Sequence, residues 1–188
     1  MRASVKRTAR PITAKYLQNA AAFYLERYPS TAEGLRRVLS RRVRKAEMLE
    51  APVMDNVKQA IEAVVAKFVA AGVIDDKAFA QTKARALHRR GTSTRLTRRK
   101  LQIAGVDGDT LDQAMVALDV ELDTDPGQRE WRAAAALARR RRLGPYRQPK
   151  DRKDNRVRDL AAMARAGFAY DVAKKVIDAP SPDALDEG

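Results

Sequence analysis

The sequence predicts an all-α protein, an elongated tandem array of three three-helix repeats. Three observations carry this. Apolar residues recur at helical spacing in one segment after another. The composition is rich in Ala, Arg and Leu, which suit helices, while aromatic residues make up only 5% of the chain. The punctuation repeats as well: Met163-x-x-x-Gly167-Phe168 echoes Leu101-x-x-x-Gly105-Val106, and Arg139 to Leu143-Gly144 echoes His88 to Arg90-Gly91. Repetition at a period of tens of residues implies units that pack mainly on their neighbours.

Taken in order, residues 1–12 read as a disordered basic tail with Lys6, Arg7 and Arg10. The first repeat spans 13–72. Its first helix starts at Thr13, carries Tyr16, Leu17, Ala20, Phe23, Tyr24 and Leu25 on a broad apolar side, and ends before Pro29. Ser30 or Thr31 caps the second helix, with Glu33 spaced for a capping box with Ser30. Leu35, Val38 and Leu39 turn inward; Arg36, Arg37, Arg41, Arg42, Arg44 and Lys45 do not. No glycine marks the end of that helix. After Glu50-Ala51-Pro52, a third helix carries Val57, Ile61, Val64, Val65 and Phe68 and stops at Gly72.

The second repeat spans 73–121. Asp75 and Asp76 cap its first helix, whose apolar stripe is Phe79, Ala80, Ala84 and Leu87. The helix ends in cations followed by Gly91, a residue that tolerates positive φ. Thr92-Ser93-Thr94 supplies a fresh N-cap, Leu96, Leu101 and Ala104 form the next stripe, and Gly105 stops it. Asp109 to about Val120 completes the unit, with Leu111, Met115 and Leu118 on one side. The third repeat spans 122–179. Asp125-Pro126 starts a helix, proline being suited to a first turn. Trp131, Ala134, Ala135, Leu137 and Ala138 lead to Arg139–Arg142, and Leu143-Gly144-Pro145 breaks the helix. Asn155 caps the next, with Val157, Leu160 and Met163 inward; Asp171 opens the last, with Val172, Val176 and Ile177. Residues 180–188 read as an acidic, frayed tail.

One ordered set of residues resembles the central repeat of the RecX family: Asp75, Asp76, Phe79, Ala80, Arg90, Gly91, Ser93, Leu101, Gly105 and Val106. The resemblance covers roughly residues 15–178 and is strongest in the middle repeat. It implies three tandem three-helix repeats and a bacterial regulator of the RecA recombinase filament, one that inhibits ATP hydrolysis and strand exchange and hydrolyses nothing itself. The chain departs from the family pattern at Thr97, where an aliphatic residue is usual, and Leu96 is expected to take that place by a slight rotation of the helix.

Composition limits the chemistry. The 188 residues carry a formal net charge of +14, which favours polyanions or an acidic protein surface. There is no cysteine, hence no disulfide framework and no thiolate metal site. No apolar run approaches the ~18 residues of a spanning helix, and the basic N-terminus is not followed by the apolar core of a secretory signal, so a cytoplasmic protein without membrane association is expected. The single histidine, His88, reads as a surface residue at a helix end and lacks the partners of a catalytic base. Gly105–Asp109 lacks the remaining ligands of a calcium loop, and no Gly-rich loop ends in Lys-Ser/Thr. The sequence therefore predicts a non-enzyme without cofactor or metal.

Cations are the positive signal. Lys83, Arg85, Arg89, Arg90, Arg95, Arg98, Arg99 and Lys100 fall in a run, 83–100, that contains no acid. A second run, 139–158, holds Arg139, Arg140, Arg141 and Arg142, then Arg147, Lys150, Arg152, Lys153, Arg156 and Arg158 against Asp151 and Asp154. Like charges repel unless a partner uses them. These residues are the candidate partner-binding and nucleic-acid-binding surface. The helix from Ser93 is almost entirely arginine outward, which suits phosphates more than base edges. Tyr146, between cations, either stacks on a base or packs on its own unit. Two readings follow: a monomeric regulator lying on a RecA–single-stranded DNA filament, with possible direct DNA contact, or a general nucleic-acid-binding helical repeat without RecA specificity.

Overall fold

The computed structural model describes residues 10–185, and within them the fold is all-α. Nine α-helices follow in order: α1 Ala14–Leu25, α2 Ala32–Met48, α3 Val57–Ala70, α4 Asp76–Arg89, α5 Thr94–Ala104, α6 Gly108–Leu122, α7 Pro126–Arg141, α8 Pro149–Arg165 and α9 Tyr170–Ile177. Two 3-10 helices, Gly144–Tyr146 and Asp183–Leu185, complete the described elements. The chain divides into two compact units, Met1–Phe79 and Ala80–Gly188, and the division falls inside α4.

The first unit holds α1–α3. Leu17, Leu35 and Leu39 are fully buried in its core with Ile61, Val65 and Ile74. Each such leucine contributes about 1.5–3 kcal/mol by leaving water. Thr13 caps α1, its side chain accepting from the Tyr16 N–H. At α2 the expected Ser30–Glu33 capping box does not form. Thr31 is the cap, accepting from the Gly34 N–H, and Glu33 instead pairs with Arg36 and Arg37 on its own helix. The Asp76 carboxylate also accepts from the Ala32 N–H at 2.9 Å, so the start of α4 covers the start of α2. The end of α2 has no glycine because Glu50 takes the left-handed conformation there, with φ 55°. The basic tail assigned to 1–12 needs correction at its end: Ile12 is buried and pairs through its backbone with Pro52 and Met54. Residues 1–9 lie outside the described residues, and with them Lys6 and Arg7.

The second unit holds the rest of α4 and α5–α9. Asp75, Ser93, Asp107 and Asp125 cap α4, α5, α6 and α7 as their types and positions require; α7 carries a full capping box with Gln128. Two close approaches set its packing. Gly91, at φ 69°, lies so near α7 that an added Cβ would sit 2.4 Å from the Leu137 nitrogen. Gly144, at φ 52°, would meet the Ile177 backbone at 2.8 Å.

The third repeat departs most from expectation. Asn155 is not a cap: α8 already begins at Pro149, and the Asn155 amide donates to the Asp151 carbonyl one turn back. Val157 is 76% exposed, whereas Asp159, which no apolar pattern marks, is buried. Residues 149–155, ahead of the expected cap, are therefore helix, because Pro149 at its first turn costs no hydrogen bond. Asp171 lies in the first turn of α9 and is not its cap. The acidic tail expected from residue 180 is ordered as far as Leu185, which is buried and whose carbonyl accepts from the Trp131 indole N–H at 3.1 Å.

Candidate nucleic-acid interface

The candidate interface is centred on α5, with further exposed cations at the ends of α4 and α7. The N-terminus of α5 is fixed from three directions. The Ser93 hydroxyl accepts from the Leu96 N–H and donates to the Ala166 carbonyl at 2.9 Å. Gly167 makes room for that hydroxyl; a Cβ there would come within 2.4 Å of it. The Glu130 carboxylate accepts from both the Thr94 N–H (2.8 Å) and its hydroxyl (2.6 Å), placing negative charge where four N–H groups lack helical partners. Beneath these contacts Arg129 is buried, donating to Asp119, to the Met115 carbonyl and to the Thr94 hydroxyl. At the other end Gly105 closes α5 at φ 94°.

The inward face of α5 holds a correction. Thr97 is itself buried, with Leu101, and Leu96 stays half-buried. No rotation brings Leu96 into the aliphatic position. Threonine is close to valine in size and shape, so it fills the position without an aliphatic side chain.

Outward, the structure sorts the predicted cations by partner. Arg98 is tied to Asp112 of α6, and Arg85 of α4 to Glu121 of α6. The run 83–100 contains no acid, yet α6 supplies two. Arg95, Arg99 and Lys100 are exposed on α5 and make no ion pair with a described residue, and the same holds for Lys83, Arg89 and Arg90 of α4 and its end. Arg139, Arg140, Arg141 and Arg142 are exposed and likewise unpaired among the described residues. The Gly91–Leu137 approach sets the end of α4 against the Ala133–Leu137 stretch of α7, a contact that sequence spacing does not announce.

His88, between these cations, is half-buried and not a simple surface residue. Burial first, then the positive charges of Arg129 and Arg132, hold its pKa below the ordinary imidazole value. That shift favours the neutral imidazole over a cationic one.

Three cations of the second basic run are taken up by the fold. Arg147 donates twice to buried Asp159, at 2.7 Å each, and the Gly144 N–H donates to the same carboxylate at 2.9 Å. Arg156 binds Asp178 through two 2.7 Å hydrogen bonds, and Arg152 reaches the Ala179 and Pro180 carbonyls beyond α9. Tyr146 is half-buried against the core of its own unit. No group of three or more potential metal-ligating side chains occurs among the described residues. None of their helices is long and apolar enough to cross a membrane.

Fold and surface together define a basic all-helical protein whose outward chemistry is placed guanidinium and ammonium groups. The family described as RecX, second three-helix domain, matches residues 75–115, which are α4, α5 and the first half of α6. The regulatory protein RecX of Myxococcus xanthus (strain DK1622) is 42% identical over 170 residues, covering 90% of this chain and 88% of that protein. The one from Agrobacterium fabrum is 30% identical, covering 97% and 92%. The crystal structure of RecX from Lactobacillus salivarius shares the fold with a TM-score of 0.57 at 19% identity, over 93% of this chain and 97% of that one. The chain belongs to the RecX family of regulatory proteins.

Proposed function

We propose that this protein binds a RecA–single-stranded DNA filament and inhibits its ATP hydrolysis and strand exchange, acting in DNA repair and the SOS response. It works as a cytoplasmic monomer and by binding alone. The carrying observation is α5: Arg95, Arg99 and Lys100 project unpaired from a helix whose two ends are both held. Cations on a rigid element can meet phosphates or acidic protomer surfaces in fixed register, which charge on a loose tail cannot. Three tandem repeats, 13–72, 73–121 and 122–179, supply the repeated helical surface such a filament requires.

The test is a filament ATPase assay titrated with the protein. Arg95→Glu with Arg99→Glu is expected to abolish inhibition with helix content unchanged, because exposed positions outside caps and core change stability by within about 0.5 kcal/mol. Arg98 is a poorer probe, since its loss also unties α6. Arg2→Glu with Lys6→Glu removes as much positive charge and should matter less. Equal loss from both pairs would reduce the effect to net charge. The unpaired cations also favour a second reading, a nucleic-acid-binding protein without RecA specificity. Equal affinity for bare single-stranded DNA and for the filament would favour that reading.

A further inference from the structure

The first unit carries a groove of about 670 Å³ between α2 and α3 that the reading above does not use. One stripe of α2 forms its first wall, Glu33, Arg36, Arg37, Ser40 and Arg44, at the i, i+3, i+4, i+7, i+11 spacing of a single helix face. Lys58, Gln59 and Glu62 of α3 line the other wall, and buried Ile61 contributes apolar surface. Sequence alone leaves these arginines as an outward solvated face. The structure gives that face a concave shape and an internal order.

The two ends of the groove differ. At one, the Arg36 guanidinium is held by both Glu62 oxygens, at 2.8 and 3.0 Å, while Glu33 pairs with Arg37 at 2.8 Å. At the other, Arg44 and Lys58 have no carboxylate partner among the described residues. Four cations stand against two carboxylates, so the walls carry a formal surplus of +2. Arg36 is oriented in advance, Arg44 and Lys58 are left for an incoming anion, and Ser40 and Gln59 add neutral donors.

We propose that the α2–α3 groove is a second nucleic-acid contact, taking a phosphodiester segment of single-stranded nucleic acid. Phosphates sit between Arg44 and Lys58, and the sugar edge lies along Ile61. No aromatic ring lines the groove, so it tracks the backbone with little base preference. The contact is separate from α5 and does not depend on RecA.

The experiment uses the full chain and a fluorescein-labelled oligothymidylate, with affinity followed against salt. Arg44→Gln with Lys58→Gln should weaken binding about ten-fold at low salt. It should also flatten the slope of log Kd against log salt by roughly 0.7 for each cation removed. Lys15→Gln with Lys67→Gln removes the same charge from other exposed positions of this unit and should leave the slope nearly unchanged. Circular dichroism should match across all three proteins. Because the chain has no cysteine, Ser40→Cys gives a single thiol for a photo-crosslinker, and the oligonucleotide should be captured there. Identical slopes for groove and control variants, or no capture at Ser40→Cys, would overturn the proposal and leave the α5 reading standing. Groove-dependent binding of polyglutamate, with oligothymidylate indifferent to Arg44 and Lys58, would overturn it in favour of an acidic-peptide site.

Discussion

The basic runs 83–100 and 139–158 resemble each other as sequence, and each divides in the structure into cations held by the fold and cations left outward, but the two hold theirs in different ways. In the first, only Arg85 and Arg98 are paired, both by acids of α6. In the second, Arg147, Arg152 and Arg156 join α8 to the 3-10 turn and to the end of α9, while Arg139–Arg142 stay exposed and unpaired among the described residues. The difference lies in where the partners sit. The carboxylate that holds Arg147 is 12 residues along the chain and the one that holds Arg156 is 22 away. A local count of charge sees neither. A run of cations is thus a mixture, and only the fold separates those that hold helices together from those that face outward.

The largest expected effect sits among the held cations of the second run. Asp159→Ala removes the carboxylate that satisfies Arg147 and the Gly144 N–H together. Arg147 is partly exposed but the Gly144 N–H is buried, and each donor left without its acceptor costs about 1–3 kcal/mol. Urea unfolding followed by circular dichroism should show that loss. A change below about 1 kcal/mol would mean that Arg147 and Arg95 are equivalent surface arginines after all.

A smaller effect tests the echo between the repeats. Gly91→Ala and Gly144→Ala each combine a left-handed backbone, worth about 1–2 kcal/mol, with a collision against a neighbouring backbone, worth about 1–3 kcal/mol. Gly72→Ala at φ 68° meets nothing within 4 Å and should cost only the first part. If all three glycines behave alike in thermal unfolding, the close approaches at Leu137 and Ile177 do not constrain the packing.

The smallest effect is a pH dependence in the second run. Hydrogen bonds from Arg156 hold the Asp178 pKa below the ordinary carboxylate value. A carboxylate depressed in the folded state adds stability at pH above its unfolded pKa and loses it as pH falls through the folded one. The thermal stability lost in Arg156→Ala should therefore be fully expressed at neutral pH and shrink on acidification. Both side chains are more than a third exposed, so the difference should be modest. A difference independent of pH would exclude the ion pair as its cause.

Helix order was legible because local chemistry fixes it. Ser93, Asp107 and Asp125 are caps wherever the rest of the chain goes, and Gly91 and Gly105 end helices through their own backbone freedom. The third repeat was harder. Pro149 starts α8 where Asn155 has the more familiar capping side chain, and buried Asp159 interrupts the apolar period that periodicity relies on. Glu50 ends α2 without the glycine that marks other helix ends. At the candidate interface, residue types were legible and pairing was not: nothing near Arg98 in the sequence announces Asp112.

Trp131 gives this structure an intrinsic optical handle. It is the chain's single tryptophan, half-buried, with its indole N–H bound to the Leu185 carbonyl. Indole emission depends on how wet the ring is, so its wavelength reports whether the segment ending at Leu185 is seated on α7. A red shift without loss of helical ellipticity would mark the unseating of that segment alone. The same spectrum, recorded during a titration, would follow that one contact without a label.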